Sequence, residues 1–139
     1  MKRLRIALND LHAWAYQRSG GRVLGRIGGQ PVLLLTTTGA RTGRPRTTPV
    51  QYLAHSDRWV IVAAAGGAPK PPAWFHNLLA DPAVTVVVGR DQVPATAVVV
   101  TGAMRQQLWA ELIATKCLPR VEKKAGRQLP VVVLERSDG

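Results

Sequence analysis

The chain has 139 residues, 46% of them hydrophobic, with 19 Lys/Arg against eight Asp/Glu and a net charge of +11. That length and apolar share exclude a disordered chain and predict one folded domain, residues 1–139, with its own core. One cysteine, Cys117, excludes an internal disulfide, and no apolar run reaches the ~18 residues of a bilayer-spanning helix, so a cytoplasmic protein is expected.

The charge is unevenly spread. The first 46 residues hold nine Lys/Arg against Asp10 alone. Such a field favours nucleic acid, an anionic membrane surface or a polyanionic small ligand. Nucleic-acid binding brings exposed aromatics among the cations, or a helical reading module. Aromatics are only 5% here, and neither zinc-finger nor helix-turn-helix spacing occurs, so nucleic acid is not an expected partner.

Residues 3–18 predict an amphipathic helix. Leu4, Ala7, Leu8, Leu11, Trp14 and Ala15 recur at helical spacing, Arg5, Asn9, His12 and Tyr16 fall opposite, and Gly20-Gly21 ends it. It reads first as a cover over one end of the core. Contact of residues 1–18 with anionic lipid at the inner membrane face is its second reading. Strands are predicted over 31–38, 47–54, 58–65, 84–88, 92–101 and 130–136, from runs rich in Val, Ile and Thr. Helices are predicted over 73–80, entered through Pro71-Pro72 and stopped at Asp81-Pro82, and over 102–117 with Thr101 as N-cap. Six strands joined mostly by hairpins must hide their edges. A closed or nearly closed antiparallel barrel, plugged by helices, is the simplest solution and gives a mainly β (α+β) fold.

Between the apolar runs 32–35 and 50–53 lies Thr36-Thr37-Thr38-Gly39-Ala40-Arg41-Thr42-Gly43-Arg44-Pro45-Arg46-Thr47-Thr48-Pro49, with two glycines, three arginines and no acid. Glycine permits positive φ and lets N–H groups converge. Arginine offers a fixed fork of donors to phosphate or carboxylate. The loop reads as a holder for an anion, most simply a phosphate on a ligand. A solvated hairpin turn is the blander alternative.

A second segment runs Ala63-Ala64-Ala65-Gly66-Gly67-Ala68-Pro69-Lys70-Pro71-Pro72-Ala73-Trp74-Phe75-His76-Asn77. Small residues admit a planar group, and the helix N-terminus adds positive potential. It reads equally as a tight crossover anchored by Trp74 and Phe75. His76 reads as structural, bonding a neighbouring carbonyl. No nucleophile-base set and no metal-ligand spacing is present, so an enzyme of this sequence leaves its chemistry to a bound cofactor.

Together these blocks carry a resemblance. They are Pro31-Val32-Leu33-Leu34-Leu35-Thr36-Thr37-Thr38-Gly39-Ala40-Arg41-Thr42-Gly43 with Arg46 and Pro49, Gly66-Gly67-Ala68-Pro69, Trp74-Phe75-His76-Asn77-Leu78 with Asp81-Pro82, and Arg127-Gln128-Leu129-Pro130-Val131. The chain resembles the deazaflavin-dependent nitroreductase family over roughly residues 5–136. That family uses coenzyme F420 and is known mainly from actinobacteria. The resemblance implies a six-stranded split β-barrel related to the FMN-binding flavin oxidoreductases, with an N-terminal helix and two further helices. It implies hydride transfer from reduced F420 to a small-molecule acceptor: an enone, a quinone or a nitroaromatic. FMN is the less favoured cofactor.

By motif position, the resemblance puts Arg41, Thr42, Gly43 and Arg46 near the phosphate and oligoglutamate tail of F420. It puts Thr48, Pro49 and Val50 nearer the deazaflavin, and Ala63, Ala64, Ala65, Gly66, Gly67, Trp74 and Asn77 along the ring and its linker. Where the nitroreductase branch has Ser-Lys before Gly-Gly, this chain has Ala64-Ala65, and where that branch spaces tyrosines, it has Thr115, Leu118 and Val121. These four positions, Ala64, Thr115, Leu118 and Val121, imply an aliphatic acceptor pocket that suits apolar enones and quinones better than nitroimidazoles. No catalytic side chain and no metal is implied. The alternatives are a non-catalytic carrier of F420 or of a lipid-like anion, and an FMN-dependent reductase. A monomer is expected in preference to a homodimer.

Overall fold

The structure is a computed structural model that describes residues 26–27, 30–114 and 118–137. The helix expected over residues 3–18, and Thr115, lie outside them. In chain order the described elements are β1 (Arg26–Ile27), β2 (Gln30–Thr38), β3 (Pro45–Gln51), β4 (Leu53–His55), β5 (Arg58–Val62) and a 3₁₀ turn (Ala65–Gly67). There follow α1 (Ala73–Ala80), β6 (Ala83–Val88), β7 (Asp91–Val100), α2 (Gly102–Ile113), α3 (Leu118–Ala125) and β8 (Val131–Arg136). Every strand pair is antiparallel. The order across the sheet is β1-β2-β6-β7-β8-β5-β4, with β3 also on β2.

The sequence predicts six strands; eight are found among the described residues. One added strand is β1, a two-residue ladder in which Arg26 faces Pro31 and Ile27 faces Gln30. The other arises because the run expected over 47–54 divides. β3 follows β2 in register as far as Gln51 opposite Val32, and the Tyr52 N–H then donates to the Pro31 carbonyl at 3.1 Å. From Leu53 the chain pairs with β5 instead, Leu53 opposite Val60. Two consecutive segments therefore form the two far edges of the sheet. Only a sheet that curls back on itself can bring those edges together, which makes this one a split barrel.

The curl creates two apolar clusters. Inside it, Leu33, Leu35 and Val50 meet Ile61, Val86, Ala95, Val132 and Leu134, and α1 closes the space with Trp74, Phe75 and Leu78. Outside, Val60, Val131 and Val133 pack against Leu108, Leu112, Leu118, Ala125 and Leu129 from the α2–α3 side. β7 shows the period of two that one buried face demands: Val93, Ala95 and Ala97 are buried, while Gln92, Pro94, Thr96 and Val98 are exposed.

Helix α1 has the expected bounds. Helix α2 begins after Thr101 as expected, but the Thr101 side chain makes no capping bond, and the helix ends at Ile113 rather than Cys117. Leu112 is its last buried side chain, and Ile113 is 41% exposed. Helix α3 has no counterpart among the predicted elements. Gly126, at φ 67°, stops it and donates its N–H to the Glu122 carbonyl at 3.1 Å.

Leu112 is fully buried, whereas Met104 on the same helix is 48% exposed. Leu112→Ala is therefore expected to cost about 2–5 kcal/mol in a urea melt, and Met104→Ala within about 0.5 kcal/mol of zero.

Candidate cofactor and acceptor site

The β2–β3 connection is a tight turn over 39–44. The Gly43 N–H donates to the Gly39 carbonyl and the Gly39 N–H to the Arg44 carbonyl, each at 2.8 Å. Thr42 Oγ1 accepts from the Arg44 N–H at 3.2 Å. Glycine is required twice. Gly43 has φ 70°, and a Cβ on Gly39 would stand 2.7 Å from Thr42 Oγ1. Thr42 thus shapes the turn with its hydroxyl. Arg41, Arg44 and Arg46 are exposed, and none has a carboxylate partner among the described residues.

Asn77 holds this turn from beneath. Its Nδ2 donates to Thr37 Oγ1 at 3.1 Å, and its Oδ1 accepts the Ala40 N–H at 3.0 Å. Both Thr37 and Asn77 are buried. The expectation that Asn77 lines a ring is thereby redirected, because its amide is engaged in anchoring the cationic loop to α1. His76 is exposed, and among the described residues it meets only the edge of the Phe75 ring at 6.2 Å between centroids. The carbonyl bond expected of it is absent among the described residues.

A cleft of about 240 Å³ opens where the two apolar clusters meet. Pro49, Val50 and Gln51 of β3 form one wall, Val62, Ala64 and Ala65 another, and Pro72, Trp74 and Leu118 complete it. Six of the expected site residues thus converge: Pro49, Val50, Ala64, Ala65, Trp74 and Leu118. Thr48, opposite Leu35, lies one step along β3. Ala63 is fully buried in the inner cluster and reaches the cleft only through its neighbours. Gly67 packs under α3, where a Cβ would stand 2.9 Å from Lys124 Cδ, and it follows Gly66 in the same 3₁₀ turn. Val121 packs against the outer cluster without lining the cleft.

Sequence reasoning gave Arg127 no role. Its guanidinium donates to the carbonyls of Ala63, Ala64, Ala68 and Lys70 at 3.2–3.4 Å. Its place in the Arg-Gln-Leu-Pro block was the available signal. Nearby, Arg105 Nη2 donates to the Leu129 carbonyl at 2.7 Å and lies 3.7 Å from Glu122 Oε2, which in turn accepts the Leu129 N–H at 3.2 Å. This fixes the entry to β8.

The donor set fits a polyanionic cofactor with a flat apolar ring. Among the described residues, three guanidiniums without a carboxylate partner sit at one end of β3, and a cleft with no ionisable lining residue sits at the other. A curled antiparallel split barrel with such a site suits an oxidoreductase in which a bound cofactor, rather than a side chain, carries the electrons. The chain belongs to the F420H2-dependent quinone reductase family, whose model matches residues 8–136. It is 39% identical over 137 residues to the F420H2-dependent quinone reductase Rv1261c of Mycobacterium tuberculosis, covering 94% of this chain and 91% of that one. A solved F420H2-dependent reductase, FDR-A, superposes with a TM-score of 0.68 at 34% identity, covering 76% of this chain and 94% of that one. A second structure, described as a domain-swapped dimer, gives 0.71 at 28% identity, covering 92% and 96%. The expected recognition, fold and F420 cofactor are borne out, with the strand count corrected.

Asn77→Ala leaves the Thr37 hydroxyl and the Ala40 N–H without their partner. It is expected to cost about 1–3 kcal/mol in thermal or urea unfolding, and to weaken F420 binding by loosening the turn.

Proposed function

We propose that this protein reduces an apolar quinone or enone, with the cofactor ring and acceptor sharing the cleft and the cofactor's anionic end on the 39–46 loop. One observation carries the reading: β3 joins the two. Arg46 and Val50 are four residues apart on the same strand, about 13 Å by the rise of a strand. A ligand with a flat ring at one end and phosphate at the other spans such a distance. When bound, reduced F420 supplies the hydride. The residues supply position. Arg41, Arg44 and Arg46 pair with phosphate and carboxylate oxygens, and Thr42 and Gly43 keep the turn that presents them. Ala64, Val50, Trp74 and Leu118 exclude water and admit a planar apolar acceptor. The described lining residues include no acid or base, and in this reading the proton that completes the reduction enters from solvent. Among the described residues, no helix is long and apolar enough to cross a membrane. A cytoplasmic monomer, with residues 1–18 available to touch the membrane, belongs to this reading.

The test is an anaerobic titration paired with turnover. Loss of F420H2 absorbance on adding menadione supports the reading; binding without turnover would make the protein a carrier. F420 is expected to bind at least about tenfold more tightly than FMN, because only its tail reaches the arginines. Arg41→Ala and Arg46→Ala are each expected to weaken F420 binding about tenfold with the fold intact. Unchanged dissociation constants in both would reduce the loop to a solvated turn.

The acceptor range follows from the cleft lining. Ala64 and Leu118 share one cleft, and neither offers a hydrogen bond from its side chain. Wild type is expected to reduce menadione much faster than a bicyclic nitroimidazole, and Ala64→Ser with Leu118→Tyr to raise nitroimidazole turnover. Comparable wild-type rates on both acceptors would defeat this assignment.

A further inference from the structure

We propose that Arg127 is a positioning residue for hydride transfer: its guanidinium holds the 63–70 segment in the strained backbone conformation that forms one wall of the cleft. The inference rests on the cleft being the reaction site. Five hydrogen bonds run from Arg127 Nε, Nη1 and Nη2 to the carbonyls of Ala63, Ala64, Ala68 and Lys70. All four acceptors belong to one short segment, and no carboxylate pairs with Arg127 among the described residues. Among the described residues its charge is met by these carbonyl dipoles.

What those dipoles enclose is unusual. Ala64 is right-handed helical at φ −90°, ψ −32°, and Ala65 follows at φ 50°. Left-handed backbone is unfavourable for a residue with a Cβ, yet here it falls on Ala65 although Gly66 is next in line. Such strain persists only where the surroundings impose it. A right-handed residue followed by a left-handed one turns successive N–H groups toward one side. The Ala65 N–H has no acceptor among the described residues, and Ala65 lines the cleft. With the carbonyls drawn to Arg127, this segment can offer its N–H side to a ligand oxygen.

Arg127 is itself firmly placed. Gly126 reverses the chain at φ 67°, and Leu129, fully buried, is bonded at both its N–H and its carbonyl. Loss of the clamp lets Ala65 relax to negative φ and moves Ala64 and Ala65 relative to Trp74 and Leu118. A displacement of about 1 Å in a near-attack geometry costs about 100-fold in rate. The arginine loop, at the other end of β3, keeps its hold on the cofactor's anionic end.

The test compares Arg127→Gln and Arg127→Lys, each with and without Ala65→Gly. Three readouts are taken: amide exchange at Gly67 and Ala68 in the F420-free protein, F420 affinity by titration, and kcat and KM with menadione. Arg127→Gln is expected to lower kcat about tenfold or more while F420 affinity and the menadione KM move less than about threefold. The Gly67 and Ala68 amides, which bond to Ala64 and Ala65 carbonyls, should exchange about tenfold faster. Because glycine adopts φ 50° without strain, Ala65→Gly should restore at least about threefold of the kcat lost with Arg127. Equal losses in both backgrounds, or unchanged exchange at Gly67 and Ala68, would overturn the proposal. If Arg127→Gln does not fold, Arg127→Lys carries the same comparison. Exchange is read without F420 or acceptor, so absence of quinone reduction would strike the proposed function and leave the clamp separately decided.

Discussion

The chain changes strand partners at a single residue, and the architecture depends on it. Up to Gln51 it is bonded to β2, and from Leu53 to β5, at the opposite edge of the sheet. Tyr52 lies between, with its N–H on Pro31. The covalent link forces the edges of the sheet together, and the inner cluster fills the space that results. The cleft opens beside this junction, between the end of β3 and the segment that leaves β5. The site is therefore a product of the closure, placed where the barrel splits and both apolar clusters reach the surface.

The strands with one clear buried face were legible in the sequence. β7 alternates and is bounded by turn residues, and β2 is an apolar run followed by Gly39. Helix α1 was legible from its prolines and Asp81. The break at Tyr52 was not, because no glycine or proline marks it and the apolar pattern runs through it. Helix α3 was hidden by length: eight residues with Pro119 and two lysines give too short a stripe. In the site, Pro49, Val50, Ala64, Ala65, Trp74 and Leu118 were found by their place in the family's motifs. The duty of Asn77 to the turn was not, since Thr37 and Ala40 lie 40 and 37 residues away and only folding brings them into reach. The carbonyls that Arg127 holds are about sixty residues distant, and a backbone acceptor leaves no mark on sequence.

Charge placement has the same logic at longer range. Four of the six described acids are engaged locally: Glu111 with His55, Glu135 with Arg58, Glu122 with Arg105, and Asp81 with the Ala83 N–H. None reaches the 39–46 loop among the described residues. The net charge of +11 thus includes three guanidiniums concentrated at one turn with no carboxylate partner among the described residues. An anionic ligand is drawn toward that end of β3 by this field.

Leu118, Ala64, Val50 and Trp74 face the cleft while also packing in or against the two apolar clusters. Evolvability is therefore unequal around the opening. Substitution at any of these four alters packing and the cleft lining together, so a new specificity arising there begins with a stability deficit. Pro72 lines the same opening outside both clusters, so under the proposed function a change there alters the lining without removing a cluster contact.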